Sequence, residues 1–148
     1  MTAIAWQRSL NEAFTRAGAD IVLEQWVILV NLQQHNDAVQ GSLADMLMRD
    51  KSFMTRIVDD LENRGLVQRR RDPSDRRCWR IHLTKKGNQF VNGLMDLVVQ
   101  TSRQAESGLR RAQLDNSRTV LRRMFLNLTG SSVDSCLPNA GEPGYEVQ

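Results

Sequence analysis

A chain of 148 residues, 41% apolar but only 5% aromatic, has the size of one ordinary domain and enough apolar side chains to bury a core without disulfides or metal. No apolar run is long enough to cross a bilayer, the first residues lack the basic and apolar stretches of a secretory signal, and Cys78, Cys136, His35 and His82 match no zinc or dithiol spacing. A cytoplasmic protein with no membrane partner, metal or cofactor is therefore expected. The formal net charge is only +3, yet Arg64 to Lys86 holds nine Lys or Arg against two acids, Asp72 and Asp75; this local +7 marks a surface for a polyanion, nucleic acid before an anionic membrane.

Leu10, Ala13, Phe14 and Ala17 recur at i, i+3, i+4, i+7 and predict an amphipathic helix ending near Gly18. A second helix carries Trp26, Leu29 and Val30 and fades in the polar stretch from Gln33 to Asp37. Leu43, Ala44 and Leu47 predict a short helix with Ser42 as N-cap. Asp50 can cap the next helix, whose inward positions are Met54, Ile57, Val58 and Leu61. Gly65 should stop it in a left-handed C′ conformation, with Leu66 folding back on Leu61. The period then changes to alternation: a run from Val67 to Arg71 and a second with Trp79, Ile81 and Leu83 on one side enclose the turn formers Asp72, Pro73, Ser74 and Asp75. A two-stranded hairpin with a basic tip is expected.

Thr84 can cap a long helix through Phe90, Val91, Leu94, Leu97 and Val98 that fades before Gly108, and a last helix carries Leu121, Met124, Phe125 and Leu128. After Thr129 the chain has no Lys or Arg and holds two of its three prolines, so residues 131–148 are expected to be a disordered tail. The fold class is mainly α with a small antiparallel β-hairpin, a winged helix-turn-helix flanked by N- and C-terminal helices.

From Gly41 to Gly87 the sequence resembles the MarR (multiple antibiotic resistance regulator) family. The likeness rests on the Leu43 and Ala44 pair, Asp50 before the capped helix, Leu61 and Glu62, the Gly65-Leu66-Val67 run, the Asp-Pro-x-Asp-Arg-Arg run of Asp72 to Arg77, and Leu83-Thr84 followed by Gly87; Glu24, Gln25 and Trp26 extend it loosely. The resemblance implies a regulator of transcription that binds a pseudo-palindromic double-stranded operator as a homodimer, most simply a repressor released by a small aromatic or phenolic effector. It further implies dimerisation helices at 1–22 and 105–130 around a DNA-binding region at 23–104. An enzyme is not expected, because no nucleophile, base and orienter stand at a recognisable spacing.

Independently of the family, an outward arc of Ser52, Thr55, Arg56, Asp59 and Asn63 follows from ~100° per residue once the apolar positions turn inward. Arg56 has the fork that fits guanine O6 and N7, Ser52 and Thr55 can reach phosphate or base, and Lys51 and Phe53 flank them in the first turn. Asp59 would be repelled by phosphate and is read as orienting an arginine. In the wing, Arg76 and Arg77 can enter a minor groove, with Arg70 and Lys85 as phosphate contacts. The resemblance adds Asp75 as a residue that positions these arginines. Arg69 and Arg71 are read as solubilising an edge strand.

The terminal helices lack partners within one chain, which makes Phe14, Leu121, Phe125 and Leu128 candidates for the dimer interface. Trp26 and His35 are candidates for an effector pocket, although core packing for the first and plain exposure for the second are the stronger readings. Cys78 follows two arginines that could lower its thiol pKa, and the alternative function is a redox-sensing regulator acting through it; a tolerated strand cysteine is the blander reading.

Overall fold

The computed structural model describes residues 2–129, which form six helices and three strands: α1 (Thr2–Arg16), α2 (Leu23–His35), β1 (Asp37–Val39), α3 (Gln40–Met46), α4 (Lys51–Asn63), β2 (Val67–Arg71), β3 (Trp79–Leu83), α5 (Lys85–Ala105) and α6 (Arg111–Thr129). The chain divides into two compact units, Met1–Ala105 and Glu106–Gln148. The expected tail lies outside the described residues. No described helix is long and apolar enough to cross a membrane.

In the first unit α1 packs on α5 and α2, and the core gathers Leu10, Phe14, Trp26, Leu29, Leu32, Leu43, Met54, Val58, Leu61, Leu66, Ile81 and Val91. Phe14 is fully buried with its ring 5.7 Å from that of Trp26. This corrects its expected place at a dimer interface: the apolar stripe of α1 is consumed by the chain's own α2 and α5. What α1 leaves exposed are Ile4 and Trp6.

Helix starts follow local hydrogen bonding. The amide of Leu23 donates to Asn11 Oδ1 (2.9 Å) and that of Val22 to Gln25 Oε1 (3.1 Å), so α2 is capped partly from α1. The expected cap of α3 is corrected, because Ser42 lies inside the helix and the N-cap is Val39, an extended residue without a side-chain cap. The strand β1 runs straight into α3 and leaves no loop in which Ser42 could serve.

Both ends of α4 match expectation. The amide of Phe53 donates to Asp50 Oδ1 at 2.8 Å. At the other end Leu66 N donates to Leu61 O (2.9 Å) and Gly65 N to Glu62 O (2.8 Å), with Gly65 at φ 71°, a Schellman motif. The cap makes a test: Asp50→Ala should cost about 1 kcal/mol in urea unfolding and Asp50→Ser should restore most of it, since serine offers the same acceptor. A null effect of the alanine would mean that packing alone sets the start of α4.

The sheet has three strands in the order β1-β3-β2, all antiparallel, where a two-stranded hairpin was expected. β1 adds to the hairpin through the register Asp37 to His82, Ala38 to Ile81 and Val39 to Arg80. β2 and β3 pair from Val67 with Leu83 to Arg71 with Trp79. Thr84 caps α5 as expected, accepting from Gly87 N at 3.0 Å. In the second unit α6 exposes Val120, Leu121, Met124 and Leu128, while Phe125 is half-buried.

Candidate nucleic-acid interface

The inward positions of α4, Met54, Ile57, Val58 and Leu61, are buried, which leaves Lys51, Ser52, Thr55, Arg56 and Asp59 exposed along its outer face. Phe53 is half-buried under the guanidinium of Arg49, 4.9 Å above the ring centroid, and supports the first turn rather than projecting from it. Thr55 has less to offer than its exposure suggests. Its hydroxyl donates to Lys51 O (2.9 Å) and accepts from Gln40 Nε2 (3.1 Å). With the single hydrogen committed it can only accept, and a phosphate oxygen needs a donor.

The basic cluster separates into two groups by partner. Arg64 pairs with Asp60 and lies over Phe90; Arg71 donates to Arg76 O (3.0 Å) and stacks 3.8 Å from the Trp79 centroid; Lys86 donates to Arg64 O (2.7 Å). Arg80 bridges Asp72 (2.8 Å) and Asp37 (2.8 Å), tying the wing turn to β1. Arg64 and Arg80 are neutralised within the fold, whereas the exposed Arg71 and Lys86 are anchored by neutral groups. By contrast Arg56, Arg70, Arg76 and Arg77 are exposed and their guanidiniums form no ion pair with a described residue. Lys85 is exposed at the first position of α5.

The expected role of Arg69 as a solvated edge arginine is corrected. Its side chain is 15% exposed and bonds Asp59 (2.5 Å), Glu62 (2.9 Å), Gln40 Oε1 (3.2 Å) and Thr55 O (3.2 Å). Asp59 does hold an arginine, as the sequence suggests, and that arginine is Arg69. Arg71 is exposed on the edge strand β2, and its guanidinium also covers Trp79 on the neighbouring strand.

The wing turn is organised by Asp72, which the sequence reading treats only as a turn former. Buried to 3% exposure, it accepts from the Ser74 hydroxyl, from the amides of Ser74 (2.8 Å) and Asp75 (3.1 Å), and from Arg80 Nε and Nη2 (3.0 and 2.8 Å). The Ser74 hydroxyl above all, then the Ser74 amide, Arg80 and the Asp75 amide, hold its carboxyl well below the ordinary carboxylate range. The missed signal is the Asp-Pro-Ser-Asp spacing, which lets one carboxylate accept from amides two and three residues on. Asp75 in turn accepts from Arg77 N at 2.9 Å, fixing the backbone that carries Arg77 rather than its side chain.

A carboxyl whose pKa is lowered on folding contributes stability that is complete above the unfolded value. It is lost as pH falls through the folded one, so the Asp72 contribution should decline below about pH 4. Asp72→Asn should therefore flatten the acid limb of the stability profile and leave the wing easier to nick with trypsin at neutral pH. An unchanged acid limb would mean that Asp72 titrates alike in both states.

Cys78 does not have the lowered pKa anticipated from its neighbours. Its thiol donates to Asp75 Oδ2 (3.4 Å), and this bond, burial and the charges of Asp75 and Asp72 push the pKa up. Carboxylates, not arginines, face the sulfur. Trp26 and His35 take the stronger of their two readings: they are nine positions apart on α2, and at about 100° per residue they point to opposite faces. Trp26 is in the core and His35 is exposed, so the two line no common pocket.

A helix pair ending in a capped, outward-facing α4, followed by a basic hairpin held against it, defines a winged helix-turn-helix protein. A sequence model of the MarR family matches residues 21–79. The transcriptional repressor MprA of Escherichia coli K12 is 26% identical over 130 residues, 88% of this chain and 74% of MprA. Among solved structures, a mutant of E. coli MarR complexed with operator DNA has a TM-score of 0.75 at 24% identity, covering 84% of this chain and 88% of that one. BpsR of Bordetella bronchiseptica, whose DNA binding is regulated by 6-hydroxynicotinic acid, has a TM-score of 0.69 at 23% identity, covering 83% and 94%. Residues 21–79 thus match the MarR family, and the fold is that of the solved MarR structures.

Proposed function

We propose that this protein is a repressor that binds a pseudo-palindromic duplex as a homodimer and is released from it by a small aromatic effector. The observation that carries DNA binding is the division of the basic cluster: the guanidiniums of Arg56 on α4 and of Arg70, Arg76 and Arg77 on the wing are exposed with no ion pair to a described residue, while Arg64, Arg69 and Arg80 are paired with carboxylates of the fold and Arg71 is anchored over Trp79. Exposed, uncommitted guanidiniums on the outward helix and the wing are suited to meeting phosphates. The name of MprA supports repression, and the regulation of BpsR by a hydroxylated aromatic acid supports an effector of that class. The apolar residues exposed on α6, Leu121 and Leu128 among them, and Ile4 and Trp6 on α1 support assembly with a second copy.

Selection of bound fragments from random duplexes tests the reading. A recovered sequence with two-fold symmetry, half-sites about 10 bp apart centre to centre and a sedimenting dimer are expected. Failure to enrich any duplex would refute DNA recognition, and an asymmetric site bound by a monomer would refute the homodimer.

A further inference from the structure

We infer that Arg69 is a positioning residue that locks the recognition helix to the wing, and that sequence discrimination depends on this lock although Arg69 itself is too enclosed to touch DNA. The inference rests on the DNA-binding reading above and adds to it the device that keeps the two reading elements in register. Arg69 stands on β2, the strand that leads into the wing. Its guanidinium engages three elements at once: Gln40 Oε1 at the start of α3, Thr55 O, Asp59 and Glu62 on α4, and through its stem the sheet itself. Thr55, Asp59 and Glu62 are i, i+4 and i+7, one stripe of α4 spanning about 10 Å of its axis at 1.5 Å per residue. The backbone amide of Arg69 adds a further bond to Glu62 Oε1 at 2.9 Å. Gln40 closes the network by donating to Thr55 Oγ1 while accepting from Arg69.

A grip at one point would let α4 swivel against the hairpin; a grip along nearly two turns does not. The two kinds of DNA contact differ in how much swivel they tolerate. A hydrogen bond to a base edge needs a separation of about 2.7–3.2 Å and good alignment, and is lost with a displacement of about 1 Å. Attraction to phosphate falls only as the inverse of distance and survives such a shift. A loosened helix-to-wing spacing should therefore cost specific binding and spare nonspecific binding. Pairing with Arg69 also neutralises Asp59, the one carboxylate on the outward arc of α4.

The test compares Arg69→Met, Arg69→Lys and Gln40→Ala with wild type. Each is titrated against the duplex that wild type selects and against a random duplex of the same length, at two salt concentrations. Arg69→Met keeps the length of the stem and removes every donor. It should lower the ratio of specific to nonspecific affinity by about tenfold or more, the discrimination carried by one well-formed base contact, with the nonspecific salt slope unchanged. Lysine, a single ammonium, cannot span four acceptors and should rescue only weakly. If the methionine chain does not fold by circular dichroism, Gln40→Ala decides the matter, since it trims one arm of the network without leaving a charge unpaired, and a smaller fall in the same ratio is expected.

An unchanged ratio in a folded variant, or full rescue by lysine, would overturn the positioning role while DNA recognition stood. A reduced nonspecific salt slope would overturn it in favour of direct phosphate contact. Failure of wild type to prefer any duplex would overturn the DNA-binding reading, and the inference with it.

Discussion

Gly87→Ala is expected to be the most destabilising single-methyl change in the first unit, costing about 3 kcal/mol or more. A Cβ placed on Gly87 would sit 2.1 Å from Leu66 O, 3.1 Å from Leu66 C and 2.7 Å from Leu83 Cδ1. The side chain of Leu83 can move; the carbonyl of Leu66 cannot do so cheaply. It accepts from Thr84 N at 3.0 Å, and Leu66 N is held by Leu61 O in the C-terminal motif of α4. Thr84 reinforces the junction, donating its hydroxyl to Gly65 O (2.7 Å) and accepting from Gly87 N. The first turn of α5 is thus pressed against the turn between α4 and β2, and a methyl group has nowhere to go. Against a total stability of about 5–15 kcal/mol, such a loss is a large fraction. Gly93 is the control: it lies mid-helix in the same element with nothing within 4 Å of its added Cβ, so Gly93→Ala should stabilise by about 0.5–1 kcal/mol through helix propensity. Urea unfolding of both variants checks the pair. A cost below about 1 kcal/mol for Gly87→Ala would mean that α5 can slide away from Leu66 at low energy.

The features that sequence revealed are those set within a few residues. The cap at Asp50, the Gly65 stop and the Thr84 cap depend on atoms three to five positions apart, and each is found where the residue types place it. The strand β1 was hidden because Asp37-Ala38-Val39 is too short to alternate and becomes a strand only by pairing with β3. Phe14 shows a limit of periodicity, which identifies an apolar face but not whether the same chain or a second copy covers it. Arg69 illustrates the limit for charge. Its partners Gln40 and Asp59 lie 29 and 10 residues away, so nothing in a run of arginines distinguishes the one that is clamped from those left outside. The mismatch of Trp26 and His35, in contrast, was legible from their spacing, since nine helical positions place two side chains on opposite faces.

The arginines that remain unpaired should divide the labour of recognition between helix and wing. Arg56 is exposed on α4 and uncommitted, so it is available to a base edge in the major groove, where a bidentate bond to guanine O6 and N7 is worth about 1–3 kcal/mol of discrimination. Arg56→Ala should accordingly flatten the preference at one base pair of each half-site and leave the others sharp. Arg77 stands in the wing turn on a backbone fixed by Asp75. A minor groove offers it width and negative potential rather than a distinct pattern of donors, and many A·T-rich sequences supply these alike. Arg77→Ala should weaken binding to all duplexes more evenly and reduce the salt slope by about 0.9 for each phosphate charge no longer neutralised. Titration of both variants against single-base changes in the selected duplex, at two salt concentrations, separates the roles. Should Arg77→Ala relax specificity at one base while Arg56→Ala lowers affinity uniformly, the base-reading element would be the wing, and α4 would serve as the phosphate anchor.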